Sequence, residues 1–275
     1  MLMQDLKTVS PRPFLKWAGG KGKLISQYIP YFPTEFKTYY EPFLGGGAVF
    51  FHLQSAHSIL TDINPELINA YRCVRDQVEQ VILLLEEHQS RHYKEYYYEV
   101  RSRAGTSDVE RAARFIYLNK TCFNGLYREN SKGAFNVPMG QYKNPTICNA
   151  DLLCSVSAAL KNTQIEVRPF DAVVNYAKTG SDFVYFDPPY YPLSPTSNFT
   201  AYSRNAFTEA DQIKLKDIFT KLATLGVKVM LSNSDCLFIR ELYKDFNIHT
   251  ISAARAINSK GSKRGKIAEV LVTSY

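Results

Sequence analysis

The stretch DFVYFDPPYYPLS, Asp182 to Ser194, decides how the rest of the chain is read. Its first five residues suit a strand, but aspartate is poor inside one and proline has no N–H to give to a sheet ladder. The strand is therefore expected to end at Asp187. The two prolines and two tyrosines that follow make a stiff, aromatic corner.

Working outward, six more strand-like runs are present: TYYEPF from Thr38, SILTD from Ser58, QIEVRPFD from Gln164, VKVMLSN from Val227, NIHTISA from Asn247 and IAEVLVTSY from Ile267. Helical patterns separate several of them, notably EADQIKLKDIFTKLATLG, which closes with Gly226 as a C-terminal cap. Strands alternating with helices imply an α/β fold with a mostly parallel sheet. The last two strands are joined only by the basic loop KGSKRGK, so they are expected to pair antiparallel at an edge. From Pro65 to about Cys122 apolar residues recur at three- and four-residue steps, as in helices. The run TCFNGLYRENSKGAFNVPMGQYKNP, from Thr121, then reads as a long loop or irregular hairpin. Loops of that length are functional or disordered, and the aromatic residues argue against disorder.

Composition narrows the class. With 275 residues, a large core can be buried. No apolar run approaches the 18 or so residues of a membrane span. MLMQDLKTVSPRPF lacks the apolar stretch of a secretory signal, so a cytoplasmic address is expected. The five cysteines contain no C-x-x-C pair and the five histidines no H-E-x-x-H, so neither a disulfide framework nor a metal site is expected. The net charge of +7, with basic clusters among 19 tyrosines and 17 phenylalanines, suits a nucleic-acid partner better than a bilayer.

Two constellations carry chemistry. In EPFLGGGAVF, three glycines after a strand let the backbone turn sharply and approach a ligand at the carboxyl edge of the sheet. Phe50 stands where the third glycine of a dinucleotide fingerprint belongs. Asp62, ending the next strand, is placed to accept from ribose hydroxyls at a spacing shorter than in dinucleotide folds, so an adenosine-containing cofactor other than NAD fits better. FLKWAGGKGKL imitates a phosphate-binding loop, but Trp17 and Leu24 stand where glycine and Ser/Thr are required. At Asp187 an aromatic amine could be activated. Its lone pair is delocalised into the ring until the Asp187 carboxylate and the Pro188 carbonyl accept its two hydrogens and draw the nitrogen toward tetrahedral geometry. Pro189 helps hold that carbonyl, and Tyr190 can stack on the base.

KWAGGK, EPFLGGG, TDINPELIN, FNGLYRENSKGAFNVP and FVYFDPPY together resemble, in that order and over nearly the whole chain, the Dam-type (D12 class) DNA adenine N6-methyltransferases. The resemblance implies a class I methyltransferase fold with a seven-stranded sheet formed by residues 1–62 and 161–275, and an inserted, mainly helical target-recognition domain at 63–160. It implies S-adenosyl-L-methionine as cofactor, double-stranded DNA as substrate, and flipping of the adenine of GATC into the Asp187 pocket. Residues so assigned to the cofactor are Trp17, Lys21, Phe43, Gly45, Gly47, Asp62, Asp171 and Asp187; the catalytic motif is Asp187, Pro188, Pro189 and Tyr190. Lys16, Leu126, Arg128 and Pro138 match positions that recognise GATC, with Asn124 and Asn136 beside them. Phe123 stands where the family often has a wedging tyrosine, which keeps the ring and loses a hydroxyl. Lys263 and Arg264, in the basic loop, are expected on phosphates. A cognate restriction endonuclease is a possible partner. Two alternatives do related things: an N4-cytosine methyltransferase, which more often has Ser in place of Asp187, and a DNA-binding relative without catalysis.

Overall fold

The computed structural model describes residues 9–130, 132–193, 207–254 and 266–275. Ser131, the segments 194–206 and 255–265, and with the latter Lys263 and Arg264, lie outside the described residues. Seven strands, β1 Thr38–Glu41, β2 Ser58–Asp62, β3 Thr163–Val167, β4 Asp182–Phe186, β5 Lys228–Ser234, β6 Asn247–Ala254 and β7 Lys266–Thr273, form a sheet in the order β3-β2-β1-β4-β5-β7-β6. The pairs β1–β2, β1–β4 and β4–β5 are parallel, whereas β5–β7 and β6–β7 are antiparallel. This is the mixed, mostly parallel sheet with flanking helices of a class I methyltransferase. The α-helices are α1 Ile25–Tyr28, α2 Ala48–Leu53, α3 Pro65–Asp76, α4 Val78–Ser90, α5 Lys94–Ser102, α6 Asp108–Thr121, α7 Ala150–Leu160, α8 Glu209–Thr224 and α9 Leu237–Leu242. Among the described residues no helix is long and apolar enough to cross a membrane.

Three local readings change. The helical stretch from Pro65 to about Cys122 is four helices, α3 to α6, the first two parted where Gln77 takes φ −140°. The strand read through Asp171 ends at Val167, and a 3-10 helix occupies Phe170–Asn175 after Pro169. Helix α7, begun by an Asn149 side chain that accepts from the Leu152 N–H at 3.1 Å, lies inside the expected helical region 63–160 but beyond the runs whose periodicity marks a helix.

By spatial proximity the chain divides into two compact units: residues 1–20, 45–54 and 64–167, and residues 21–44, 55–63 and 168–275. In the second, alternation along the strands gives each face its own cover. Val184 and Phe186 of β4, Val229 and Leu231 of β5, and Val270 and Val272 of β7 meet Leu215, Ile218, Phe219 and Leu222, which recur at helical spacing on α8. On the other face, Phe183 is ringed by Phe32, Phe36 and Tyr39, and Tyr185 by Tyr28. Helix α8 starts from a Thr208–Asp211 capping box, and Gly226 follows it at φ +79°, as a C-terminal cap requires. In the first unit, α3, α4, α6 and α7 pack together, and Arg72 and Arg75 of α3 donate to the Ile165 and Thr163 carbonyls of β3 at 2.7 and 2.8 Å.

Candidate active site and nucleic-acid interface

Strand β4 is buried throughout, and Asp187 directly follows its last residue, Phe186. The two prolines leave the following backbone without N–H donors, and side chains from β5 and α8 fix the corner instead. Asn233 and Gln212 form a relay: Asn233 Nδ2 donates to Gln212 Oε1 at 3.0 Å and Gln212 Nε2 to the Pro189 carbonyl at 2.9 Å. The Tyr191 N–H donates to Asn233 Oδ1 at 3.1 Å, and Ser234 Oγ donates to the Tyr191 carbonyl at 2.7 Å. Asn233 and Ser234 face opposite sides of the sheet, so the corner straddles the end of β5.

Asp187 Oδ1 accepts from Lys21 Nζ at 2.9 Å and from Ser232 Oγ at 2.9 Å. Because the single Ser232 proton goes to Asp187, the Tyr185 hydroxyl 2.9 Å away must donate to Ser232. Lys21 is only 3% exposed against 22% for Asp187, so the ammonium is desolvated and relies on its carboxylate. Its Nζ also lies 4.6 Å from the centre of the Tyr190 ring. The Tyr190 hydroxyl donates to Glu269 Oε2 at 2.7 Å. Burial first, and then Asp187, hold the phenols of Tyr28 and Tyr185 well above their ordinary range, and burial, Tyr28 and the nearby carboxylates do the same for Tyr190, so all three stay neutral and Tyr185 and Tyr190 donate. Burial likewise raises the Glu269 carboxyl, against the opposing pull of Lys21.

The residues expected around a cofactor divide between the two units. In the second, the Phe43 and Phe170 rings stack at 5.2 Å, with Phe207 edge-on to Phe43 at 5.8 Å. Asp171 pairs with Lys214 at 2.5 Å, and the Lys214 ammonium lies 5.5 Å from the Phe170 ring. Asp62 ends β2 half-buried, its carbonyl accepting the Arg168 N–H at 3.2 Å. Phe43, Phe170 and Phe207 thus pack on one another beside the Asp171 carboxylate, with the Asp62 carboxylate at the end of β2. In the first unit, Gly45 has φ +47°, and a Cβ there would sit 2.8 Å from the Trp17 indole. The glycine turn thus makes room for Trp17, which also stacks on Tyr127 at 6.2 Å; Gly47, at φ +66°, precedes α2.

The residues expected on DNA lie in the first unit, apart from Lys263 and Arg264. Phe123–Gly125 form one 3-10 turn, with Asn124 in the left-handed region at φ 56° and Phe123 about half exposed. The Phe123 N–H donates to the Pro138 carbonyl at 2.9 Å, while Leu126 follows the turn with its N–H on the Phe123 carbonyl. Arg128 Nε donates to Asn136 Oδ1 at 2.7 Å and the Asn136 N–H returns to the Arg128 carbonyl at 3.0 Å, so the irregular hairpin holds one guanidinium edge. Lys16 is fastened by reciprocal hydrogen bonds between its backbone and Asn119, at 2.8 and 2.7 Å. Its Nζ donates to the Lys120 carbonyl at 2.9 Å and lies 3.7 Å from the Tyr142 ring. A Cβ on Gly125, at φ +64°, would overlap Lys16 Cβ at 2.5 Å. Beside them Lys120 is pushed down to about 8, by burial and then by Lys16 and Arg12.

Sequence reasoning misses Ser232, Asn233, Gln212, Glu269, Phe170, Phe207 and Lys120. All but Lys120 are brought to their partners by tertiary packing and carry no local signature. For Lys120 the sequence signal was its place immediately before the hairpin.

Residues 17–257 match the family of D12 class N6 adenine-specific DNA methyltransferases. The chain is 49% identical to the type II methyltransferase M1.LlaDCHI of Lactococcus lactis subsp. cremoris, covering 100% of this chain and 99% of that one. It is 44% identical to the type II methyltransferase M.MjaIII of Methanocaldococcus jannaschii, with coverage of 96% and 99%. With the DNA adenine methylase of Escherichia coli K12 the identity is 37%, over 94% of each chain. A strand-end Asp-Pro-Pro-Tyr corner on a class I sheet and a match of this extent lead to one conclusion: the chain belongs to the D12 class N6 adenine-specific DNA methyltransferase family and is an enzyme.

Proposed function

We propose that the enzyme methylates the adenine N6 of GATC in double-stranded DNA, with S-adenosyl-L-methionine as methyl donor. The observation that carries this reading is the Asp187 carboxylate, held at the end of β4 by Ser232 and Lys21 beside the Tyr190 ring. Adenine N6 lies inside the duplex, so the base must flip out, at a cost of a few kcal/mol that the pocket and wedge must offset. Tyr190 then stacks on the base, and Asp187 and the Pro188 carbonyl accept the two amine hydrogens, which frees the nitrogen lone pair. Pro189, anchored by Gln212, keeps that carbonyl in place.

S-adenosyl-L-methionine supplies a methyl group already activated by its sulfonium. The Phe43 and Phe170 pair offers an aromatic surface for its adenine, Asp171 an acceptor at the ring edge, and Asp62 an acceptor for the ribose hydroxyls. Trp17, Lys21, Gly45 and Gly47 join this set by resemblance to the family.

Lys16, Leu126, Arg128 and Pro138 support GATC, since they stand at the family's recognition positions, with Asn124 and Asn136 as neighbours. Phe123 serves as the wedge at the flipped base, and Lys263 and Arg264 contact phosphates. On this reading residues 63–160 form the target-recognition domain, and 1–62 with 161–275 the catalytic domain. The type II designation of two relatives supports a restriction endonuclease acting at the same site in the cytoplasm.

The test is to incubate unmethylated plasmid with enzyme and S-adenosyl-L-methionine and to map modified bases at single-nucleotide resolution. N6-methyladenine on both strands of GATC is expected. Modification at another sequence would overturn the GATC assignment, and no modification with this donor would overturn the cofactor.

A further inference from the structure

Glu269 belongs to no motif of the sequence, yet it touches the corner that carries the chemistry. It sits on β7 opposite Ser234 of β5, and because directly paired residues share a sheet face, it lies on the face of Ser232 and Ser234. From there its Oε2 accepts the Tyr190 hydroxyl at 2.7 Å. Lys21, 2.9 Å from Asp187 Oδ1 and 4.6 Å from the Tyr190 ring centre, covers one face of that ring. A half-buried carboxylate between Ala268 and Val270 is costly where packing alone is at stake, and it makes a directional hydrogen bond to the Tyr190 hydroxyl at the corner.

We propose that Glu269 is a positioning residue for methyl transfer: by anchoring the Tyr190 hydroxyl it sets the plane of the ring, with Lys21 on one face and the flipped adenine on the other. The inference rests on the role proposed above for Asp187 to Tyr190. A tilt of the ring would tilt the base and move its amine off the line of attack, and misplacements near 1 Å cost about 100-fold in rate.

The experiment compares single-turnover rates, KM for DNA and for S-adenosyl-L-methionine, and DNA affinity in Glu269→Ala, Glu269→Gln, Tyr190→Phe and the double variant Glu269→Ala with Tyr190→Phe. Glu269→Ala and Tyr190→Phe should each lose about 10- to 100-fold in rate with both KM values within about threefold of wild type. The double variant should be no slower than Glu269→Ala within about threefold, since both changes break one bond. Glu269→Gln should recover most of the rate, because its amide oxygen still accepts the hydroxyl. A wild-type rate in Glu269→Ala, losses that multiply in the double variant, or a Gln variant as slow as Ala would each overturn the proposal. Should Glu269→Ala fail to fold, Tyr190→Phe decides, and an unchanged rate there overturns it. Asp187→Ala separates the two levels: full activity in that variant removes the corner itself, whereas an inactive Asp187→Ala beside a fully active Glu269→Ala removes only Glu269.

Discussion

A guanidinium reads guanine through two parallel hydrogen bonds to O6 and N7, and Arg128 is prepared for that geometry by its Nε bond to Asn136. With Nε held, the outer edge formed by the two terminal nitrogens is the one presented to a base. A phosphate contact would make less use of such orientation, since it carries no sequence information. Arg128→Ala is therefore expected to relax discrimination at one base pair of GATC and its symmetry mate by about 1–3 kcal/mol, with the other pair still selective. Methylation rates on GATC and each of its single-base variants measure this, and a uniform loss on all substrates would assign Arg128 to the backbone. Arg128 is marked in the sequence by its resemblance to the family's recognition positions. Its clamp by Asn136, eight residues away, is not, because which residues face each other depends on how the hairpin closes.

The helices of the first unit meet at an aromatic and imidazole cluster. His88 of α4 shares a 2.7 Å hydrogen bond with Tyr96 of α5 and stacks at 4.7 Å on Tyr117 of α6. The Tyr117 hydroxyl in turn lies 2.9 Å from His92 Nδ1. Burial pushes His88 down to about 4, with Glu87 opposing and Arg91 reinforcing the shift. An unfolded histidine binds its proton near pH 6.5, so between pH 6.5 and 4 the unfolded chain holds the extra proton and stability falls as pH drops. The loss is about 1.4 kcal/mol per pH unit within that window, and it is absent above the window. Chemical denaturation of wild type and His88→Gln from pH 7 to 4 should give a shallower acid-side slope for the variant; identical slopes would show that His88 titrates as it does in the unfolded chain. At this scale the strands and α8 are legible, because alternation and helical spacing are local patterns. The break at Gln77 is not, since neither Gly nor Pro marks it. Nor is α7, whose ADLLCSVSAAL has apolar residues around much of its circumference and gives a weak face signal.

At the scale of the whole molecule, order along the chain and proximity in space part company. Asp187 directly follows β4, but its partners come from the segment before β1 (Lys21) and from β5 (Ser232), and the Tyr190 anchor comes from β7, 79 residues on. The parallel β4–β5 pair brings Asp187 and Ser232 together near their carboxyl ends and the antiparallel β5–β7 pair adds Glu269 from the amino-terminal half of β7, and only the sheet order reveals it. The Asp-Pro-Pro-Tyr motif and its neighbours in sequence are thus readable in advance, while the groups that orient them await the topology. The central claim is that this one carboxylate activates the amine, and Asp187→Ala tests it most directly through the single-turnover rate of labelled methyl transfer to GATC duplex, measured beside duplex affinity. Losing an acceptor that stabilises developing charge costs about 100- to 1,000-fold. The account predicts at least that loss in rate, with duplex affinity within about threefold of wild type; a rate near wild type would contradict it.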